Sequence, residues 1–185
     1  MSTQPNKLSH PISGVFGQIK LDFSPEFDEP LEIEERFTHK ANYPTTLAYL
    51  HIYLDNQEVS QNVSSAYLLF LMDHLLAAIP MVLEGKEATA EWVSDPWQLD
   101  LVGLPATNQL QMTLRLSQRI PVLDRVKVPL DQFCQSVIEL AYRWGEYLGE
   151  SYPEEIHDSQ KGKAYQRFTA HLNTAKAAMQ KLGLV

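Results

Sequence analysis

At 185 residues, 44% hydrophobic and 21% charged, the chain has the composition of one globular domain (1–185) able to bury a full core. Its formal charge of −8 argues against nucleic acid as a main partner, because phosphate recognition needs clustered positive charge. The single cysteine, Cys134, excludes an internal disulfide and every multi-cysteine zinc motif.

Residues 1–13, with Pro5 and Pro11 among polar neighbours, read as a loose N-terminal arm. They lack the apolar stretch of a signal peptide, which makes the cytoplasm the expected compartment. Three segments with period-two alternation follow, each reading as a strand with one face on a core. In 15–23, Val15, Ile19, Leu21 and Phe23 oppose Gln18, Lys20 and Asp22. In 31–37, Leu31, Ile33 and Phe37 oppose Glu32, Glu34 and Arg36. In 46–54, Ala48, Leu50, Ile52 and Leu54 oppose Leu47, Tyr49, His51 and Tyr53. Ser24-Pro25 and Asn42-Tyr43-Pro44 supply breakers between them.

Residues 66–83, AYLLFLMDHLLAAIPMVL, are almost wholly apolar, interrupted by the adjacent Asp73 and His74. A membrane span is disfavoured. Asp73 near the centre would cost about 2.5–3.5 kcal/mol on insertion, and Pro80 breaks the ladder. The run therefore reads as the central buried helix of a soluble domain, with Ser60 or Asn62 as cap and Glu84-Gly85 as stop.

Four further strands are expected around Ala88, Ala90 and Trp92, then Trp97, Leu99 and Leu101, then Leu110, Met112, Leu114 and Leu116, then Val126 and Val128. At Pro129 the period changes to 3.6. Leu130, Phe133, Val137, Leu140, Ala141, Trp144 and Leu148 form one stripe of a helix that Gly149 and Pro153 end. A last helix over 158–182 carries a narrower stripe of Tyr165, Phe168, Leu172, Ala175, Met179 and Leu182. The expected fold is α+β: a largely antiparallel sheet of about six or seven strands, with three helices packed mainly on one face.

Few constellations suggest chemistry. Asp73 and His74 point about 100° apart on a helix and cannot form a dyad, so Asp73 reads as structural. It requires a tertiary partner, for which Lys20, His51 and Arg115 are candidates. Tyr49, His51 and Tyr53 share one strand face and suit a binding surface, since each combines an apolar body with a polar tip. Trp92 and Trp97 flank the turn Ser94-Asp95-Pro96 and either anchor a partner, with Trp97 as a binding residue, or staple a hairpin to the core. Cys134, in the first turn after Pro129, would need a spatial His to act as a nucleophile. No GxGxxG, P-loop, HExxH, GxSxG or CxxC occurs. The histidines His10, His39, His51, His74, His157 and His171 show no i,i+4 pairing on an expected helix. Hence no catalytic residue, cofactor or metal ligand is assigned. The charge is uneven: 22–35 holds Asp22, Glu26, Asp28, Glu29, Glu32, Glu34 and Glu35 without a base. By contrast 159–185 holds Lys161, Lys163, Arg167, Lys176 and Lys181 without an acid. The two stretches read either as solvated faces or as mutually attracting surfaces, within the chain or across a dimer, with a partner's positive surface as the other match for the acidic one.

The strand 110–116, followed by Val126-Lys127-Val128-Pro129-Leu130-Asp131-Gln132-Phe133 entering an amphipathic helix, resembles the layout of some small bacterial toxin-immunity-type α+β proteins. The resemblance implies a non-catalytic acidic protein that binds another protein. The reading is therefore a cytoplasmic protein-binding protein engaging neither nucleic acid nor membrane. The alternative is an enzyme or small-ligand-binding protein with a site assembled from Asp73, His74, His51 and Cys134.

Overall fold

A computed structural model describes residues 11–25, 47–61, 63–92, 96–116, 121–157 and 162–184; the strand expected over 31–37 lies outside them. Among the described residues the class is α+β, with antiparallel strands and three long helices. The strands are divided over two four-stranded sheets. In the first, β2 (Leu47–Leu54) pairs with β1 (Ile19–Pro25) on one side and with the short β3 (Gln57–Glu58) and β4 (Ala66–Tyr67) on the other. The second is a meander of β5 (Glu87–Glu91), β6 (Trp97–Leu104), β7 (Gln109–Leu116) and β8 (Leu123–Pro129). The alternation read from the sequence is kept: Ala48, Leu50, Ile52 and Leu54 are buried, as are Leu110, Met112 and Leu114.

The two sheets are linked by the segment that precedes β1. Ile12 and Val15 form parallel bridges to Leu123 and Lys127. The Ile12 N–H donates to Val122 O at 2.9 Å and the Phe16 N–H to Lys127 O at 2.8 Å. Residues 11–13 are thus docked rather than loose, because the outer edge of β8 offers backbone groups that need partners. Residues 1–10 lie outside the described set.

The apolar run forms α1 (Leu68–Leu83), preceded by β4. Leu68, Leu71, Met72, Leu75, Leu76, Ile79 and Val82 are fully buried, as an all-round apolar helix requires. Ser60 does not cap the helix. Pairing of Ala66 with Ala48 and of Tyr67 with Leu47 delays the helix. Ser60 Oγ instead accepts the Ile52 N–H at 2.8 Å, and Asn62 lies outside the described residues. The stop is as expected: Gly85 sits at φ +77°, the Lys86 N–H bonds Met81 O at 2.9 Å and the Gly85 N–H bonds Val82 O at 3.1 Å. This is a Schellman motif, in which glycine takes the left-handed position at least cost.

Helix α2 (Leu130–Ser151) runs along the edge of β1 that faces away from β2. Ser136 Oγ accepts the Leu21 N–H at 2.6 Å, Gln132 Oε1 accepts the Ile19 N–H at 3.4 Å, and Arg143 donates to Leu21 O at 3.2 Å. Side chains thereby satisfy a strand edge that would otherwise recruit another strand. Farther along, Trp144 stacks on Tyr147 and meets Phe23 edge-on. Helix α3 (Gly162–Lys181) buries Phe168, Leu172, Ala175 and Met179 and packs on α1. No helix among the described residues is long and apolar enough to cross a membrane.

Candidate functional site

Because β2 alternates, Tyr49, His51 and Tyr53 share the face opposite the core, Tyr49 being 38% exposed. The register of β1 brings Asp22 opposite His51 and Ser24 opposite Tyr49. After Leu54, Asp55 and Asn56 adopt φ of 46° and 66°, the two left-handed positions of a type I′ hairpin, which Asp and Asn tolerate. The turn is anchored because Asp55 Oδ1 accepts the Gly17 and Gln18 N–H groups at 2.9 and 2.8 Å. It returns the chain with Glu58 opposite Tyr53. Ser24 and Glu58 are therefore both diagonal neighbours of His51, on the strands to either side, within reach of its ring.

The result is a hydrogen-bonded chain across three strands. His51 Nδ1 lies 2.7 Å from Glu58 Oε1, and His51 Nε2 lies 2.8 Å from Ser24 Oγ. An ionised carboxylate only accepts, which in the neutral imidazole puts the proton on Nδ1 and turns the Nε2 lone pair to the serine hydroxyl. His51 and Glu58 are each about a quarter exposed, so water and small molecules have access. Tyr53 leans on the His51 ring at 6.4 Å, and Lys20 Nζ lies 6.0 Å from the Tyr53 ring centre.

Beside this chain, Asp22 meets Arg143 at 2.6 Å and Lys20 at 3.4 Å. Burial alone would raise the Asp22 carboxyl, but hydrogen bonds from Arg143, the Phe23 N–H and Lys20, with the Arg143 charge, hold it below its usual value of 3.8. A lowered folded pKa adds stability that is present above the unfolded value and lost as pH falls through the folded one. The stability difference between wild type and Asp22→Asn should thus be full at neutral pH and shrink below 3.8. Urea titrations across that range read it; a difference independent of pH would refute this role. Asp22 is the one member of the acidic stretch among the described residues, and its cations come from β1 and α2, not from the basic C-terminal helix.

That helix serves Asp73 instead. The Asp73 side chain is 6% exposed, receives Arg167 Nε on Oδ2, and has His171 Nδ1 2.9 Å from Oδ1. The required tertiary partner exists, but it is not Lys20, His51 or Arg115. His51 is engaged as above, Lys20 pairs with Asp22, and Arg115 pairs with Asp100 at 2.8 Å.

The dispersed set Asp73, His74, His51 and Cys134 is not drawn into one site. His74 Nδ1 accepts the Glu91 N–H at 3.1 Å and borders an open cavity of about 330 Å³ with Ala77, Ala78, Met81, Glu87, Ala88 and Thr89. Cys134 is fully buried. Desolvation, aided by the Asp131 charge, pushes its thiol up to about 12, which removes it as a nucleophile. Trp97, at 7% exposure, is not on the face of Tyr49, His51 and Tyr53; with Trp92 it lies in the core, and its carbonyl accepts the Trp92 N–H. No cluster of His, Cys, Asp and Glu suited to a metal occurs among the described residues. In the sequence Ser24 reads only as part of the Ser24-Pro25 breaker and Glu58 carries no signal of its own, although Asp55-Asn56 is a hairpin signal that carries Glu58 back beside His51.

Comparison with protein-family models, curated proteins and solved structures returns no match.

Proposed function

We propose that the protein is a cytoplasmic protein-binding protein that works through the outer face of the first sheet. The supporting observation is the row of Tyr49, His51 and Tyr53 on that face, bordered by Lys20 and Asp22. Tyrosine supplies contact area at low entropy cost, and a mixed-charge rim confers partner choice. On this reading neither nucleic acid nor membrane is a partner, in keeping with the charge of −8. The test is capture from native host cells with wild-type protein and a Tyr49→Arg/Tyr53→Glu variant as baits, followed by mass spectrometry and binding measurements on the captured partner. A loss of affinity of about tenfold or more is expected, equivalent to about 1.4 kcal/mol. A partner held equally by both baits refutes the assignment of this face.

A second reading, an enzyme, is favoured by one specific observation: the Ser24–His51–Glu58 chain of hydrogen bonds.

A further inference from the structure

We propose that Ser24 is a base-activated nucleophile for acyl transfer, with His51 as its general base and Glu58 as the positioning residue for that base. The inference rests on the enzyme reading and gives it a chemistry and a substrate class. Three features carry it. The contacts run in the order this chemistry needs, hydroxyl to Nε2 at 2.8 Å and Nδ1 to carboxylate at 2.7 Å. In the neutral ring, a carboxylate accepting from Nδ1–H leaves the Nε2 lone pair facing the serine. All three side chains stand on the outer sheet face, half-buried and held by strand pairing on both sides of β2. That gives the geometry a rigid support.

In the step proposed, Ser24 Oγ attacks an ester carbonyl carbon and its proton passes to His51 Nε2. The carbonyl re-forms as the C–O bond to the leaving group breaks, and His51 returns the proton to the departing alcohol. Water then attacks the acyl-serine, giving its proton to His51, and Ser24 leaves as the free hydroxyl while the carboxylic acid departs. Tyr49 and Tyr53 stand two residues to either side of His51. They form flat apolar ground for an aromatic or apolar group, so the substrate class is a small carboxylic ester carrying such a group.

The experiment uses an alkyl fluorophosphonate and p-nitrophenyl acetate on the full chain. With the fluorophosphonate, a Ser24 Oγ–P bond forms, fluoride leaves, and the serine proton goes to His51. One adduct is expected, mapped to Ser24 by mass spectrometry, and none in Ser24→Ala. His51→Gln should label at least about 100-fold more slowly, the contribution of a positioned base. Glu58→Gln should label more slowly with its fold intact, and Glu58→Asp, which keeps the carboxylate, should recover part of the rate, which a merely structural role would not do. Ser24→Ala should likewise release p-nitrophenol no faster than buffer. Circular dichroism checks that each variant is folded. Failure of folded wild type to form the Ser24 adduct, or a labelling rate unmoved by His51→Gln, overturns the proposal. Partner capture is a separate readout, so loss of the nucleophile reading and loss of the protein-binding reading are distinguishable.

Discussion

Gly103→Ala is expected to destabilise the fold by about 3 kcal/mol or more, at or above the upper end of ordinary overpacking costs. Gly103 lies on the core-facing side of β6, paired with Leu110, and its N–H donates to Lys86 O at 3.3 Å. A Cβ built there would fall 1.8 Å from the Val82 carbonyl oxygen and 2.6 Å from its carbon. Both atoms are backbone, so no rotamer change relieves the clash. The last turn of α1 must lift off the sheet instead, and with it the Schellman turn that leads into β5. Gly149→Ala is the control. It lies within α2, nothing lies within 4 Å of its added Cβ, and replacing a helical glycine by alanine gains about 0.4–1 kcal/mol. Urea unfolding of the two variants should separate them in sign. A Gly103→Ala cost below about 1 kcal/mol would mean that the helix is not held against the strand as described.

Gly103 shows where sequence legibility ends. The alternation of Leu110, Met112 and Leu114 and the change of period at Pro129 are local signals, set by which face of each element meets the core. They were readable, and they gave the α+β class and the antiparallel strands. A glycine at the end of a strand announces close backbone approach, but not which backbone approaches. The division into two sheets was hidden for a similar reason. Their junction is made by residues 12–16 lying along β8, a pairing that joins distant parts of the chain. The helix start was misplaced because Ser60 and Asn62 satisfy the local rule for a cap, while strand pairing at Ala66–Tyr67 overrides it.

The candidate site was half legible. His51 and its tyrosines declared themselves by alternation. Ser24, next to Pro25, looked like a breaker, and Glu58 acquires its place only once the Asp55-Asn56 turn sets the register. A chemical chain spread over three strands is visible in sequence only when every register is known.

Arg167→Ala is expected to cost about 3 kcal/mol, and the reason is an asymmetry in the clasp between α1 and α3. The carboxylate is the member removed from water, with 6% of the Asp73 side chain exposed, whereas Arg167 is 54% exposed. Removing one partner of a buried pair typically costs about 3–5 kcal/mol, because a charge is left uncompensated. The lower end applies here, since the half-exposed guanidinium leaves the pair partly screened. His171, four residues on and on the same face of α3, remains as a second partner and likewise keeps the cost at that lower end. Asp73→Asn should cost less, about 1–3 kcal/mol. It removes the buried charge itself and leaves Arg167 free to rehydrate. The two substitutions share one interaction, so in the Asp73→Asn background Arg167→Ala should cost much less than in wild type. A double-mutant cycle by urea denaturation measures that coupling, expected within about 0.5–3 kcal/mol. Strict additivity would show that the pair does not hold the helices together. Partner capture through the first sheet should survive Asp73→Asn while the protein stays folded, because none of the clasp residues belongs to that face. A variant as stable as wild type that lost capture would instead place Asp73 in the function.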